Sequence, residues 1–126
     1  LQDLKIANGE QEKPLYEYMA SHYYRYNING NMGLVVGATY GNEIKIVRAA
    51  CPDVPFLLPG VGAQKGDMKE ALRSGIDKYG RGLLINSSRS IIYASSGFDF
   101  AEAARFQALN FNSTVDFNLG ILGKEW

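Results

Sequence analysis

Two short stretches of this sequence carry residue types suited to holding an anion. The first is PFLLPGVGAQKGD, residues 55–67, where an apolar run ends in Pro59, Gly60 and Gly62 before Gln64, Lys65 and Gly66. Closely spaced glycines leave backbone N–H groups open and let a ligand approach the main chain. Gln64 carries a donor and an acceptor on one amide, so it can bridge a phosphate to another polar group. The second stretch, NSSRSIIYASSG, places Arg89 directly after Asn86, Ser87 and Ser88. A guanidinium beside main-chain N–H groups can chelate a phosphate. Taken singly, either loop also fits a plain chain reversal, and Arg89 alone fits a surface ion pair. Two such loops at neighbouring strand ends favour a ligand.

The other reactive residue types point elsewhere. His22 stands on an apolar stripe with no Cys, Asp or second His at ligand spacing, which marks a packed or partly exposed core histidine. The single cysteine, Cys51, lies on the inner side of a helix end; it permits no internal disulfide and is expected to pack. Lys65, Arg73, Lys78 and Arg81 are expected to face solvent, and Tyr93 to pack. No metal site is expected.

The elements that must position these loops follow from pattern. Pro14 suits the first turn of a helix in which Leu15, Tyr18, Met19, His22 and Tyr26 recur at helical spacing, ending near Asn27 to Gly30. The residues before it read as a polar loop entered midway, and Leu1 in place of an initiator Met suggests a processed or incomplete chain. GLVVGAT (33–39), PFLL (55–58) and GLLINSS (82–88) read as strands. Between them, a helix over 42–50 turns Ile44, Val47 and Cys51 inward. The sequence DMKEALRSG opens with Asp67 and Glu70 in capping-box spacing and closes at Gly75. After the third strand, Asp99 and Glu102 repeat that spacing before Phe100, Ala103, Ala104 and Leu109. The tail from residue 110 has no clear period; its LGIL and Trp126 are expected to dock on a neighbour. Strands that are apolar throughout and separated by helices run parallel and are buried on both faces. The fold class is α/β.

Composition sets further bounds. The 126 residues are 46% hydrophobic, and thirteen basic side chains cancel thirteen acidic ones, so no global field recruits nucleic acid or an anionic membrane. No apolar run approaches the roughly 20 residues of a membrane span, and the simplest location is cytoplasmic. Three strands with four helices make about half of a (β/α)8 barrel, which needs about 250 residues, and leave two strand edges for something else to cover.

The segments LVVGAT, FLLPGVGAQKGD and GLLINSSRSIIYAS, in this order and spacing, resemble the last three strand regions of the orotidine 5′-phosphate decarboxylase family, especially its long-chain bacterial group. The opening LQDL and the later PLYE resemble the loop and helix before those strands. The likeness covers roughly residues 1–109 and leaves 110–126 as an unassigned tail within one barrel domain. It implies a TIM barrel, of which this chain supplies the C-terminal part, and the conversion of orotidine 5′-monophosphate to uridine 5′-monophosphate without a cofactor. It also implies roles: Gln64 spans the 5′-phosphate and the pyrimidine, Ser88 and Arg89 bind the phosphate, and Pro59 and Val61, with Gly60 and Gly62 between and beside them, line the pocket. Ser88 stands where many relatives carry glycine, and GATYGNE lacks a proline common in that loop.

The family's chemistry resides in a D-x-K-x-x-D arrangement, which occurs nowhere in these 126 residues. The resemblance therefore implies no catalytic residue here, an isolated chain without turnover, a nucleotide ligand, an N-terminal half as partner, and a homodimer. A rival reading is a non-catalytic nucleotide-binding half-barrel that dimerises to cover its edges.

Overall fold

The structure is a computed structural model that describes residues 3–8, 11–61 and 67–124. In chain order the elements are β1 (Lys5–Asn8), β2 (Gln11–Pro14), α1 (Leu15–Tyr24), β3 (Leu34–Val35), α2 (Gly41–Ala50), β4 (Phe56–Pro59), α3 (Met68–Gly75), β5 (Leu83–Asn86), α4 (Arg89–Ile92) and α5 (Phe100–Ile121). The strands β3, β4 and β5 form one sheet in that order, and both pairings are parallel, as the alternation of strands and helices requires.

Register decides which side chains meet the helices. Leu34 pairs with Phe56 and Phe56 with Leu83, so these three share one face; Val35, Leu57 and Leu84 share the other. The first face packs against Ile44 and Val47 of α2 and Ala71 and Leu72 of α3, and Phe56 and Leu58 are fully buried there. The second face is bare: Val35 is 72% exposed and Leu84 62%. Burial on both faces, expected from the apolar runs, is thus met on one face by the described residues. The helices form one layer over the sheet, with α1 against α2, α2 against α3, and α3 against α5.

Several expectations are corrected. Lys5–Asn8 and Gln11–Pro14 pair as antiparallel strands, from Lys5 with Pro14 to Asn8 with Gln11, where a polar loop was expected. In α1 the inward residues are Tyr16, Ala20 and Tyr24; Met19 and Tyr26 of the expected stripe are exposed, because tyrosines on every side of this helix blur its period. The helix proper stops at Tyr24, and single turns carry the chain to Gly30, whose φ of 62° reverses it. The tail is helical through Ile121, and Leu119 of LGIL is buried in this chain's own core with Val115. Phe100 and Leu109 are exposed, and so is Tyr93, which was expected to pack. Trp126 and Lys65 lie outside the described residues.

Other expectations hold, with the exception of the second cap, at Asp99. Asp67 caps α3 by accepting from the Glu70 N–H at 3.2 Å, although Glu70 turns its carboxylate to the Ser74 hydroxyl instead of back to the cap. Asp99 forms no such side-chain cap; it accepts from the Ser95 hydroxyl. His22 is partly exposed among the rings of Tyr18, Tyr23 and Tyr26. Cys51 is fully buried, its thiol directed at the Ala20 carbonyl at 3.4 Å, and burial pushes its pKa up. Arg73, Lys78 and Arg81 are exposed.

Arg48 was not singled out by sequence and is the most connected side chain of the core. Its Nε donates to the Gly75 carbonyl (2.7 Å), Nη1 to those of Cys51 (3.0 Å) and Val54 (2.6 Å), and Nη2 to that of Gly82 (3.1 Å). The guanidinium also lies 3.6 Å from the centre of the Phe56 ring. Arg48→Met keeps the stem but leaves these carbonyls without their donor, and should cost about 3 kcal/mol or more. A denaturant titration whose midpoint matches the parent would contradict that role.

Candidate functional site

In a parallel α/β sheet the carboxyl ends of the strands face the loops that bind ligands. Here Pro59 at the end of β4 pairs with Asn86 at the end of β5, so the two candidate loops leave the sheet side by side. Gly60 follows with φ 94°, a conformation that side chains oppose, which accounts for the glycine. Val61 then turns into the core, 3% exposed, and anchors the loop.

On the neighbouring strand, Ser88 caps the short helix α4: its carbonyl accepts from the N–H groups of Ile91 (3.0 Å) and Ile92 (2.9 Å). Its hydroxyl donates to Asn86 Oδ1 at 2.9 Å, while the Ser87 and Ser90 hydroxyls share a hydrogen bond of 2.6 Å. The Ser88 hydroxyl proton is therefore committed within the loop, and what this residue can offer an anion is its backbone. Arg89 is exposed, and among the described residues it has no ion-pair partner, so the surface ion pair weighed for it is not seen there.

These residues enclose one hollow of about 150 Å³, lined by Pro59, Gly60, Val61, Asn86, Ser87, Ser88 and Arg89. The structure thus brings together five of the expected site residues: Pro59, Gly60, Val61, Ser88 and Arg89. Gly62 and Gln64 lie outside the described residues. The sequence had marked Asn86 and Ser87 as the end of a strand; their hydrogen bonds to Ser88 and Ser90 make them the supports of that loop. Three larger hollows exist, of about 380 Å³ beside β3, about 310 Å³ near Tyr79 and about 220 Å³ between Val61, Met68, Ser90 and α5. The first two lie away from the two loops at these strand ends, and the first is mostly apolar; the third lies behind the loops against α5. Among the described residues no cluster of His, Cys, Asp or Glu could hold a metal ion, and no helix is long and apolar enough to cross a membrane.

No family model matches the chain. It is 51% identical over 110 residues to the orotidine 5′-phosphate decarboxylase of Polaromonas naphthalenivorans (strain CJ2), a match covering 86% of this chain and 39% of that protein. With the enzyme of that name from Thermomicrobium roseum it shares 44% over 117 residues, covering 92% and 41%. Among solved structures, OMP decarboxylase from Leishmania donovani superposes with a TM-score of 0.68 at 37% identity, over 90% of this chain and 42% of that one. The UMP synthase of the same organism gives 0.71 at 38% identity, over 90% and 24%. The chain is a homologue of the orotidine 5′-phosphate decarboxylases. It spans about two-fifths of the length of the curated decarboxylases it matches. Its three parallel strands and their helices are a sector of the TIM barrel, which explains a sheet covered by helices on one face and bare on the other.

The φ of Gly60 offers a direct check on how the decarboxylase homologue shapes its loop. Gly60→Ala should destabilise the fold by about 1–3 kcal/mol through backbone strain. An unchanged melting temperature would show that the loop relaxes without needing the glycine.

Proposed function

We propose that this chain is the phosphate-holding, C-terminal sector of an orotidine 5′-monophosphate decarboxylase. That enzyme releases CO2 from its substrate to give uridine 5′-monophosphate in pyrimidine synthesis, with no cofactor. The observation that carries the reading is the shared hollow of the Pro59–Val61 and Asn86–Arg89 loops at the carboxyl ends of paired strands, in a homologue of proteins named for this reaction.

In this reading Arg89 makes charge-assisted bonds to the 5′-phosphate, and the backbone of Ser88 and of the glycine-containing loop supplies further donors. Gln64 joins the phosphate to the pyrimidine side of the ligand, and Pro59 walls the base, with the buried Val61 fixing the loop from the core side. The lysine and aspartates of the D-x-K-x-x-D motif come from residues outside this sequence. The aspartates destabilise the substrate carboxylate and hold the lysine, which protonates the carbon that loses CO2. Phosphate binding at this remote site orders and orients the reacting base, so it contributes to rate as well as affinity.

A second reading has one observation in its favour. It makes these residues a non-catalytic nucleotide-binding half-barrel, in keeping with the absence of the D-x-K-x-x-D pattern from the 126 residues. Calorimetry with uridine 5′-monophosphate, uridine and inorganic phosphate separates the possibilities. Arg89→Ala should weaken uridine 5′-monophosphate about 10-fold or more, as expected for losing charge-assisted bonds of about 1.5–3 kcal/mol, and leave uridine unchanged. Equal affinity of parent and variant for the nucleotide would overturn the assignment. Turnover of orotidine 5′-monophosphate by the isolated chain, followed by ultraviolet absorbance, would overturn the placement of the catalytic lysine elsewhere.

A further inference from the structure

We propose that Asn86 is a further substrate-contacting residue of this site: its side-chain amide, oriented by Ser88, donates from Nδ2 to an oxygen of the nucleoside, inward of the phosphate. This rests on the reading that the hollow of the two loops holds a nucleotide inside a completed barrel, and it names a residue that meets the uncharged part of that ligand.

Strand geometry supplies the first argument. Successive side chains of a strand point to opposite faces. In β5, Leu83 is buried and Ile85 packs on the core under the helices, whereas Leu84 stands on the bare face. Asn86 follows Leu84 on that face and is exposed. It pairs with Pro59, and both line the hollow of about 150 Å³. One layer below them the bare face is aliphatic, built of Val35, Leu57 and Leu84. Of the pair above it, Asn86 alone carries side-chain hydrogen-bonding groups.

Hydrogen bonding decides which end of the amide is free. The Ser88 hydroxyl donates to Asn86 Oδ1 at 2.9 Å, so the oxygen is engaged. The nitrogen keeps two N–H groups, and among the described residues nothing accepts from them. A completed barrel encloses the bare face and takes this amide out of water, where an unpaired donor is costly. Leucine would extend the aliphatic face without that cost, and asparagine is poorly suited to a strand. The acceptor that makes asparagine favourable here arrives with the ligand.

Position along the strand identifies the part of the ligand concerned. Ser88 and Arg89 lie past the end of β5, and Asn86 lies two residues nearer the sheet, about 7 Å at roughly 3.3 Å per residue. A nucleotide held by its phosphate at Arg89, with its base over the bare face, passes Asn86 with its sugar and pyrimidine oxygens. Those oxygens accept hydrogen bonds.

The test is calorimetry of the chain and its variants with uridine, uridine 5′-monophosphate and inorganic phosphate. Asn86→Leu should weaken uridine and uridine 5′-monophosphate about 10-fold or more and leave inorganic phosphate unchanged. Asn86→Asp keeps an oxygen for the Ser88 hydroxyl but has no donor, and should weaken uridine as much. Ser88→Ala, which frees the amide to turn over, should weaken uridine by a smaller factor. Parent-like uridine affinity in both Asn86 variants would overturn the proposal, as would an equal loss of inorganic phosphate on Asn86→Leu. Arg89→Ala has the opposite signature, losing uridine 5′-monophosphate and phosphate while keeping uridine. Neutral Asn86 variants beside an intact Arg89 effect therefore strike this assignment alone. A parent chain that binds none of the three ligands overturns the nucleotide reading and this assignment with it.

Discussion

One buried guanidinium fixes the spacing of the sheet and its helices. Arg48 reaches the carbonyls that close α2 (Cys51), precede β4 (Val54), end α3 (Gly75) and precede β5 (Gly82). Each is a chain terminus of an element, where backbone acceptors lose their regular partners and need a donor. Arginine suits the task because it offers several donors in a rigid fork, whereas lysine would present a single point charge. Burial lowers its pKa, and the nearby Asp77, Cys51 and Asp53 oppose that shift. Because β4 and β5 are short and paired in register from Phe56 and Leu83, pinning their amino ends also sets where Pro59 and Asn86 emerge at the other end. The hollow between the two candidate loops is thus positioned from the opposite side of the sheet.

This division matches what is expected of barrel architecture, in which one end of the strands holds the structure and the other is left to ligands. At the amino ends, Asp77 gathers the N–H groups of Tyr79 and Arg81 at 2.8 Å each, and Gly80 and Gly82 turn with φ 81°. At the carboxyl end of β5 the side chains are polar and bonded to near neighbours, as with Ser88 to Asn86.

Much of this was legible in the residue order. Three apolar runs separated by helical spacing were enough for a parallel sheet, and glycines and Arg89 just past the strand ends marked the loops. What escaped had specific causes. The tail does carry a period, with Phe111, Val115, Leu119 and Leu122 packing on the core, but Asn, Ser, Thr and Gly between them lower its helix propensity and hide the pattern. The first pair of strands was hidden because Lys5, Glu12 and Lys13 leave Lys5–Asn8 and Gln11–Pro14 without an apolar alternation. The inward face of α1 centres on Ala20, a residue too small to stand out among the tyrosines around it. Arg48 reads on paper as a surface charge, and only the convergence of four chain ends, distant in sequence, makes its burial favourable.

The bare sheet face and the exposed Arg89 are connected by the physics of desolvation. A guanidinium in open solvent gains little from an anion, since water competes for both partners and salt screens them. In the proposed barrel the residues that cover Val35, Leu57 and Leu84 also lower the dielectric around the strand ends, which strengthens each hydrogen bond to a phosphate. Barrel completion and phosphate affinity are then thermodynamically linked, and linkage is reciprocal: a phosphate ester held by Arg89 stabilises the assembled barrel by the same factor that assembly raises its affinity. A sector that grips weakly alone and firmly when closed would reserve its binding energy for the state in which the catalytic lysine is present.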